Sequence, residues 1–111
     1  MSPTTQLLRG TLHVLILKTL AAEPLHGYAI ASRIAEATDR AFELDDGGLY
    51  QALHRMEERG WLASSWGHAE NGRRARFYRL TADGERRLEV ETASWLRYAE
   101  AVFKVLQPSA A

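Results

Sequence analysis

Four arginines fall within seven positions late in the chain, Arg73, Arg74, Arg76 and Arg79. Glu70 is the single acid between Trp66 and Leu80, so that stretch carries +3. Guanidinium groups at this density suit phosphate oxygens, because each presents its N–H donors as a rigid planar fork. A second group lies upstream at Gly48, Tyr50, Gln51, His54 and Arg55. Gln and Arg can form paired hydrogen bonds with adenine and guanine edges, respectively. Tyr50 is placed either to donate to a phosphate or to pack beneath its helix. A run of charge on its own is an ordinary solvated surface. Its position after a helix-turn-helix pattern is what turns the reading toward nucleic acid.

Other chemistries find no support in the residues. His13, His26, His54 and His68 have no metal-ligand spacing, and there is no cysteine. No Ser-His-acid grouping, phosphate loop or carboxylate pair stands out. The reading is therefore a non-enzyme without a cofactor. The formal net charge is zero, which by itself argues against a simple nucleic-acid binder. The charge is polarised, however: from Glu36 to Asp46 five acids face Arg40 alone, a local −4. Asp45 and Asp46 directly precede the second group, where they either cap a helix or repel an approaching phosphate.

The elements that must position these residues follow from periodicity. The 111 residues suffice for one domain with a modest core. The apolar run from Leu12 to Ala22 is interrupted by His13 and Lys18 and is too short to span a bilayer. It reads as a buried helix rather than a signal peptide, within a first helix from about Thr5 to Ala22. Leu12, Leu15 and Leu20 lie near one stripe, and Val14, Ile16 and Leu17 widen it. Pro24 closes that helix. A second helix is expected through Tyr28 and Ile34 to about Thr38, with Tyr28 in a structural role, although such a helix can also touch backbone phosphates. Gly47 and Gly48 open a third, with Leu49, Leu53 and Met56 facing inward and Gly60 as its cap. Trp61–Trp66 and Arg76–Leu80 have strand character, joined by a projecting loop that holds the turn signal Asn71-Gly72. Trp61 and Trp66 read as core and hairpin anchors. Thr81 is suited to cap a last helix reaching Leu106, with a stripe at Leu88, Trp95, Ala99, Val102 and Leu106. Its natural packing partner is the first helix or a second subunit.

The order of elements is that of a winged helix-turn-helix: mainly α with a small β-hairpin, followed by a long C-terminal dimerisation helix. The expected division is a winged head over residues 1–80, the dimerisation helix over 81–107 and a disordered tail at 108–111. The segments Leu7–Leu12, His26-Gly27-Tyr28, Gly47–Glu57, Gly60-Trp61-Leu62 and Asn71–Gly84, with the later Trp95, together resemble the PadR family of bacterial regulators. The resemblance runs in order over roughly residues 6–107 and is nearest to the short members with one C-terminal helix. Gly48 stands where the family usually has Ser or Thr, and Gln51 where it usually has Pro.

The resemblance implies a homodimer joined through its first and last helices. It implies a cytoplasmic repressor of double-stranded operator DNA, with no membrane association, released by a small-molecule or other signal. DNA contacts would fall on Gly48, Tyr50, Gln51, His54 and Arg55 of the third helix and on Arg73, Arg74 and Arg76 of the wing. Trp95 either packs the dimer interface or, as in multidrug-binding relatives, stacks against a planar aromatic effector. The alternatives are a dimeric winged-helix protein-interaction module or a ligand-binding scaffold with weak DNA affinity.

Overall fold

A computed structural model describes residues 10–107. The first expected turn of helix, from Thr5, and the expected tail at 108–111 lie outside them. Four helices and three strands follow in the order α1 (Thr11–Leu20), β1 (Leu25–His26), α2 (Gly27–Ala37), α3 (Asp46–Glu58), β2 (Leu62–His68), β3 (Arg74–Leu80) and α4 (Ala82–Leu106). This is the expected winged helix with a long terminal helix.

Local chemistry sets most boundaries. His26 caps α2, its Nδ1 accepting from Ala29 N at 3.3 Å. Asp45 caps α3 by accepting from Gly48 N at 2.7 Å. Asp45 is therefore a helix cap, and the negative charge of its carboxylate still lies beside the start of α3. The cap also moves the paired glycines from the helix entrance into its first turn. Thr81 caps α4 as expected: its hydroxyl accepts from Gly84 N at 3.0 Å and donates to Gly60 O at 2.6 Å. Gly84 is buried so tightly on the α3–β2 connection that a Cβ there would lie 2.1 Å from Trp61 O.

The core gathers Ile16, Leu17 and Leu20 of α1, Ile30 and Ile34 of α2, and Leu49, Leu53 and Met56 of α3. Leu25, Leu62 and Tyr78 close it from the sheet. On α1, therefore, Ile16 and Leu17, two of the positions that widened the apolar stripe, join Leu20 of the stripe in its most buried face. Leu12 and Leu15 are half-buried against it. The sheet order is β1-β3-β2, all antiparallel. The two-residue β1 is absent from the sequence expectation. It pairs Leu25 with Tyr78 and His26 with Phe77, and two residues carry no period-2 pattern for a sequence to reveal.

Beyond Leu88, α4 leaves the core. A helix of 25 residues is about 37 Å long, and the molecule extends to 59 × 31 × 21 Å. The described residues leave Leu96, Val102, Phe103, Val105 and Leu106 exposed along it. Trp95 is tied back to α1, its Nε1 donating to Thr11 Oγ1 at 3.1 Å. No helix among the described residues is long and apolar enough to cross a membrane.

Candidate nucleic-acid interface

The sheet register determines which way the wing side chains face. Leu62 pairs with Leu80, Ser64 with Tyr78, Trp66 with Arg76, and His68 with Arg74. Alternate residues share a face, so one face runs from the core at Leu62 and Leu80 out to Trp66, Arg76 and Arg74. Near the body that face is buried. Past the body it turns toward the N-terminal ends of α2 and α3. The strands are longer than expected and the loop shorter, with only residues 69–73 between them. Ala69 N donates to Arg73 O at 2.8 Å, and Arg73 N donates to Asn71 Oδ1 at 2.9 Å. Gly72 supplies the left-handed backbone of the turn at φ 82°.

The three wing arginines have different surroundings. Arg73 is exposed at the tip. The Arg74 guanidinium lies 4.2 Å from the centre of the Trp66 ring, a cation–π contact on an indole that is itself 55% exposed. Arg76 sits 5.4 Å from the same ring, and its Nε donates to Ser64 Oγ at 2.8 Å. Ser64 Oγ in turn donates to Glu57 Oε2 of α3 at 2.6 Å, and Arg76 lies 3.8 Å from that carboxylate. Arg76 is thus braced against α3, whereas Arg73 and Arg74 are presented outward. Trp66, expected as a hairpin anchor, is instead the exposed platform between two cations.

The third-helix residues divide between two hollows. Tyr50 projects toward the wing, over Gly27, where an added Cβ would meet its ring at 2.7–3.0 Å. With His26, Tyr28, Trp66, Arg73 and Arg74 it lines an open groove of about 1120 Å³ between wing and helices. Gly48, Gln51 and Arg55 line the opposite hollow, about 840 Å³, between α1, α3 and the start of α4. His54 stands between the two, exposed, with Nε2 4.0 Å from Glu58 Oε2. Gln51 and Arg55 therefore do not share a concavity with the wing arginines. They flank the same outward ridge of α3, one turn apart.

Two neighbouring groups titrate away from their ordinary values. Burial, then the positive charges of Arg55 and Arg59, hold the His13 imidazole below 6.5, partly offset by Glu91. Burial and the Glu57 carboxylate push the Tyr78 phenol up, countered by Arg76. Among the described residues no cluster of acids and histidines could hold a metal.

Several contributors escape a reading of the sequence. Tyr28, expected in a structural role, is 69% exposed and lines the wing groove. Its Leu25-His26-Gly27-Tyr28 context marks a turn and says nothing of that exposure. Arg59 and Arg87 flank Trp61 at 5.2 and 4.8 Å from the ring centre. Their separation by 28 positions gives no local signal.

Comparison with known proteins agrees with this geometry. The chain aligns at TM-score 0.81 and 26% identity with a transcriptional regulator from Clostridium thermocellum, covering 89% of this chain and 96% of that one. A PadR family transcriptional regulator from Eggerthella lenta aligns at TM-score 0.74 and 34% identity, covering 91% and 86%. A 37.1 kDa protein in a transposon of Streptomyces fradiae is 37% identical over 95 residues, 86% of this chain. The chain spans 26% of that protein's length. The profile described as the transcriptional regulator PadR-like family matches residues 16–90. The chain therefore belongs to the PadR-like family of transcriptional regulators.

Proposed function

We propose that this regulator is a DNA-binding repressor that acts as a homodimer. The observation that carries the reading is the pair of exposed cations at the wing tip, Arg73 and Arg74, which line one groove with Tyr50 of α3 and Tyr28 of α2. A ridge bearing His54, Gln51 and Arg55 suits the major groove, and the wing cations suit the flanking phosphates. Tyr28 and Tyr50 add hydroxyl donors in the groove between them. Two such heads, joined through α1 and the exposed apolar side of α4, would place their reading helices about one duplex turn apart, roughly 34–36 Å. Bound in that way, the dimer blocks a promoter sterically. A signal that changes the spacing of the heads releases it.

Trp95 marks the place for a planar aromatic effector. Its indole is 38% exposed, and its hydrogen bond to Thr11 holds the ring in one orientation. Stacking of a flat ligand would quench Trp fluorescence, and Trp95→Phe would remove most of the effect. The protein-interaction reading rests on the near-neutral charge and on Asp45 and Asp46. The cap at Gly48 N accounts for Asp45 without a partner protein.

Fluorescence anisotropy with the chain's own upstream DNA, at several salt concentrations, tests the main reading. Sequence-dependent binding that weakens steeply with salt supports it. Binding that ignores both sequence and salt refutes it in favour of a module that contacts other proteins.

A further inference from the structure

The hollow between α1, α3 and the start of α4 is built differently from the wing groove. Its volume of about 840 Å³ lies within the roughly 300–1,000 Å³ typical of small-molecule sites. Its walls are partly apolar, from Leu12 and Leu44, and two of its cations are held in place. Arg59 and Arg87 lie against Trp61, and His13 meets the same indole edge-on at 6.1 Å. Arg87 is paired with Glu91 at 2.6 Å, and the Asp45 carboxylate is engaged by Gly48 N. Arg55 and Arg59 have no carboxylate partner among the described residues. With Arg55, Arg59 and Arg87 against Asp45 and Glu91 the hollow is net positive, and the two guanidiniums without an ion-pair partner, facing a concave, partly apolar space, suit an anionic group on a small body.

We propose that this hollow binds a small organic dianion, a phosphomonoester or dicarboxylate, with its charged end between Arg55 and Arg59 and its carbon body against Leu12 and Leu44. The site excludes Trp95, so it is separate from any stacking site there. Because Gln51 and Arg55 belong to α3, occupancy draws two side chains away from the ridge proposed to read DNA. That regulatory consequence rests on the DNA-binding reading; the site itself does not. Burial, and then the positive charges of Arg55 and Arg59, disfavour protonation of His13; a bound dianion would neutralise those charges, so His13 reports on occupancy.

The test is a titration of the full chain, without DNA, by phenyl phosphate, followed through the His13 imidazole signals in NMR. Inorganic phosphate and neutral benzyl alcohol serve as comparison probes. The expected result is saturable binding of phenyl phosphate, an upward move of the His13 titration, and weaker binding of the other two. Arg59→Gln is expected to weaken binding by about tenfold or more, Arg59→Lys by less, and Arg97→Gln, at an exposed position of α4 that does not line the hollow, not at all. Absence of saturation, equal binding of benzyl alcohol, or an unaffected Arg59→Gln variant overturns the site. So does a pattern in which Arg55→Gln and Arg59→Gln weaken DNA binding while phenyl phosphate does not bind, since the guanidiniums would then serve the DNA backbone. In a separate arm, phenyl phosphate is expected to lower DNA affinity. If it binds without doing so, the regulatory link is wrong and the site stands.

Discussion

At the scale of residues, the wing separates cations that reach outward from a cation that braces. Arg73 and Arg74 have no carboxylate partner among the described residues, whereas Arg76 is tied through Ser64 to Glu57. Replacing Arg73 and Arg74 together by Ala is expected to weaken binding to every DNA sequence. The slope of log affinity against log salt should flatten by about 0.9 for each phosphate that is no longer neutralised, as read by anisotropy over a salt series. An unchanged slope would remove the wing from the interface. Ser64→Ala breaks the brace without touching a cation. It is expected to raise hydrogen exchange at the β2 and β3 amides while Arg73 and Arg74 remain. The half-buried His13 gives a pH dependence. Its native value is depressed, so the fold prefers the neutral ring. Stability contributed by that preference is complete above 6.5. It declines below 6.5, because the unfolded chain takes up its proton first, and is gone once the pH passes the lower native value. Urea midpoints at about pH 7.5 and about pH 5.5 should therefore differ less in His13→Gln than in the parent chain.

At the scale of elements, short side-chain caps and one close backbone approach fix how the reading helix and the terminal helix start. Asp45→Ala removes the acceptor for Gly48 N and is expected to cost about 1 kcal/mol in urea unfolding. Because the glycines in the first turn of α3 have little helix preference of their own, DNA affinity is expected to fall with stability. Asp45→Asn, which keeps an acceptor oxygen, should recover most of both. Gly84 is a harder constraint. A methyl group 2.1 Å from Trp61 O cannot be accommodated unless α4 moves off the hairpin root. Gly84→Ala is expected to destabilise by about 1–3 kcal/mol, seen as a clearly lower thermal midpoint. A midpoint equal to the parent's would mean that the α4 start is not held against Trp61.

At the scale of the whole molecule, the decisive feature is a helix that outruns its own core. The described residues leave Leu96, Val102, Phe103 and Leu106 uncovered, and contiguous apolar surface of this kind marks an interaction face. Under the proposed assembly that face meets a second copy. Leu96→Glu with Phe103→Glu is expected to convert a dimer to a monomer in sedimentation velocity, with helical content retained by circular dichroism. It should also reduce operator affinity, because two half-sites would no longer be bound as one. A parent chain that is monomeric at all concentrations would refute the assembly.

The periodic elements and their caps are legible from the residues alone, because those signals are local. Leu49, Leu53 and Met56 recur on one face, Thr81 precedes the last helix, and Asn71-Gly72 turns the wing, each within a few positions. The same holds for the winged-helix order and for the family pattern, since both are read along the chain. What neighbours what across the fold is not legible in this way. Only the register of β2 on β3 set Trp66 between Arg74 and Arg76 and tied Arg76 to Glu57. Only the return of α4 onto α1 brought Arg87 beside Arg59, Trp61 and His13. The two-residue β1 likewise exists because β3 is there to pair with it. Helical and strand periodicity act over a few residues, whereas these contacts depend on how whole elements pack, and that is decided by burial of the shared core.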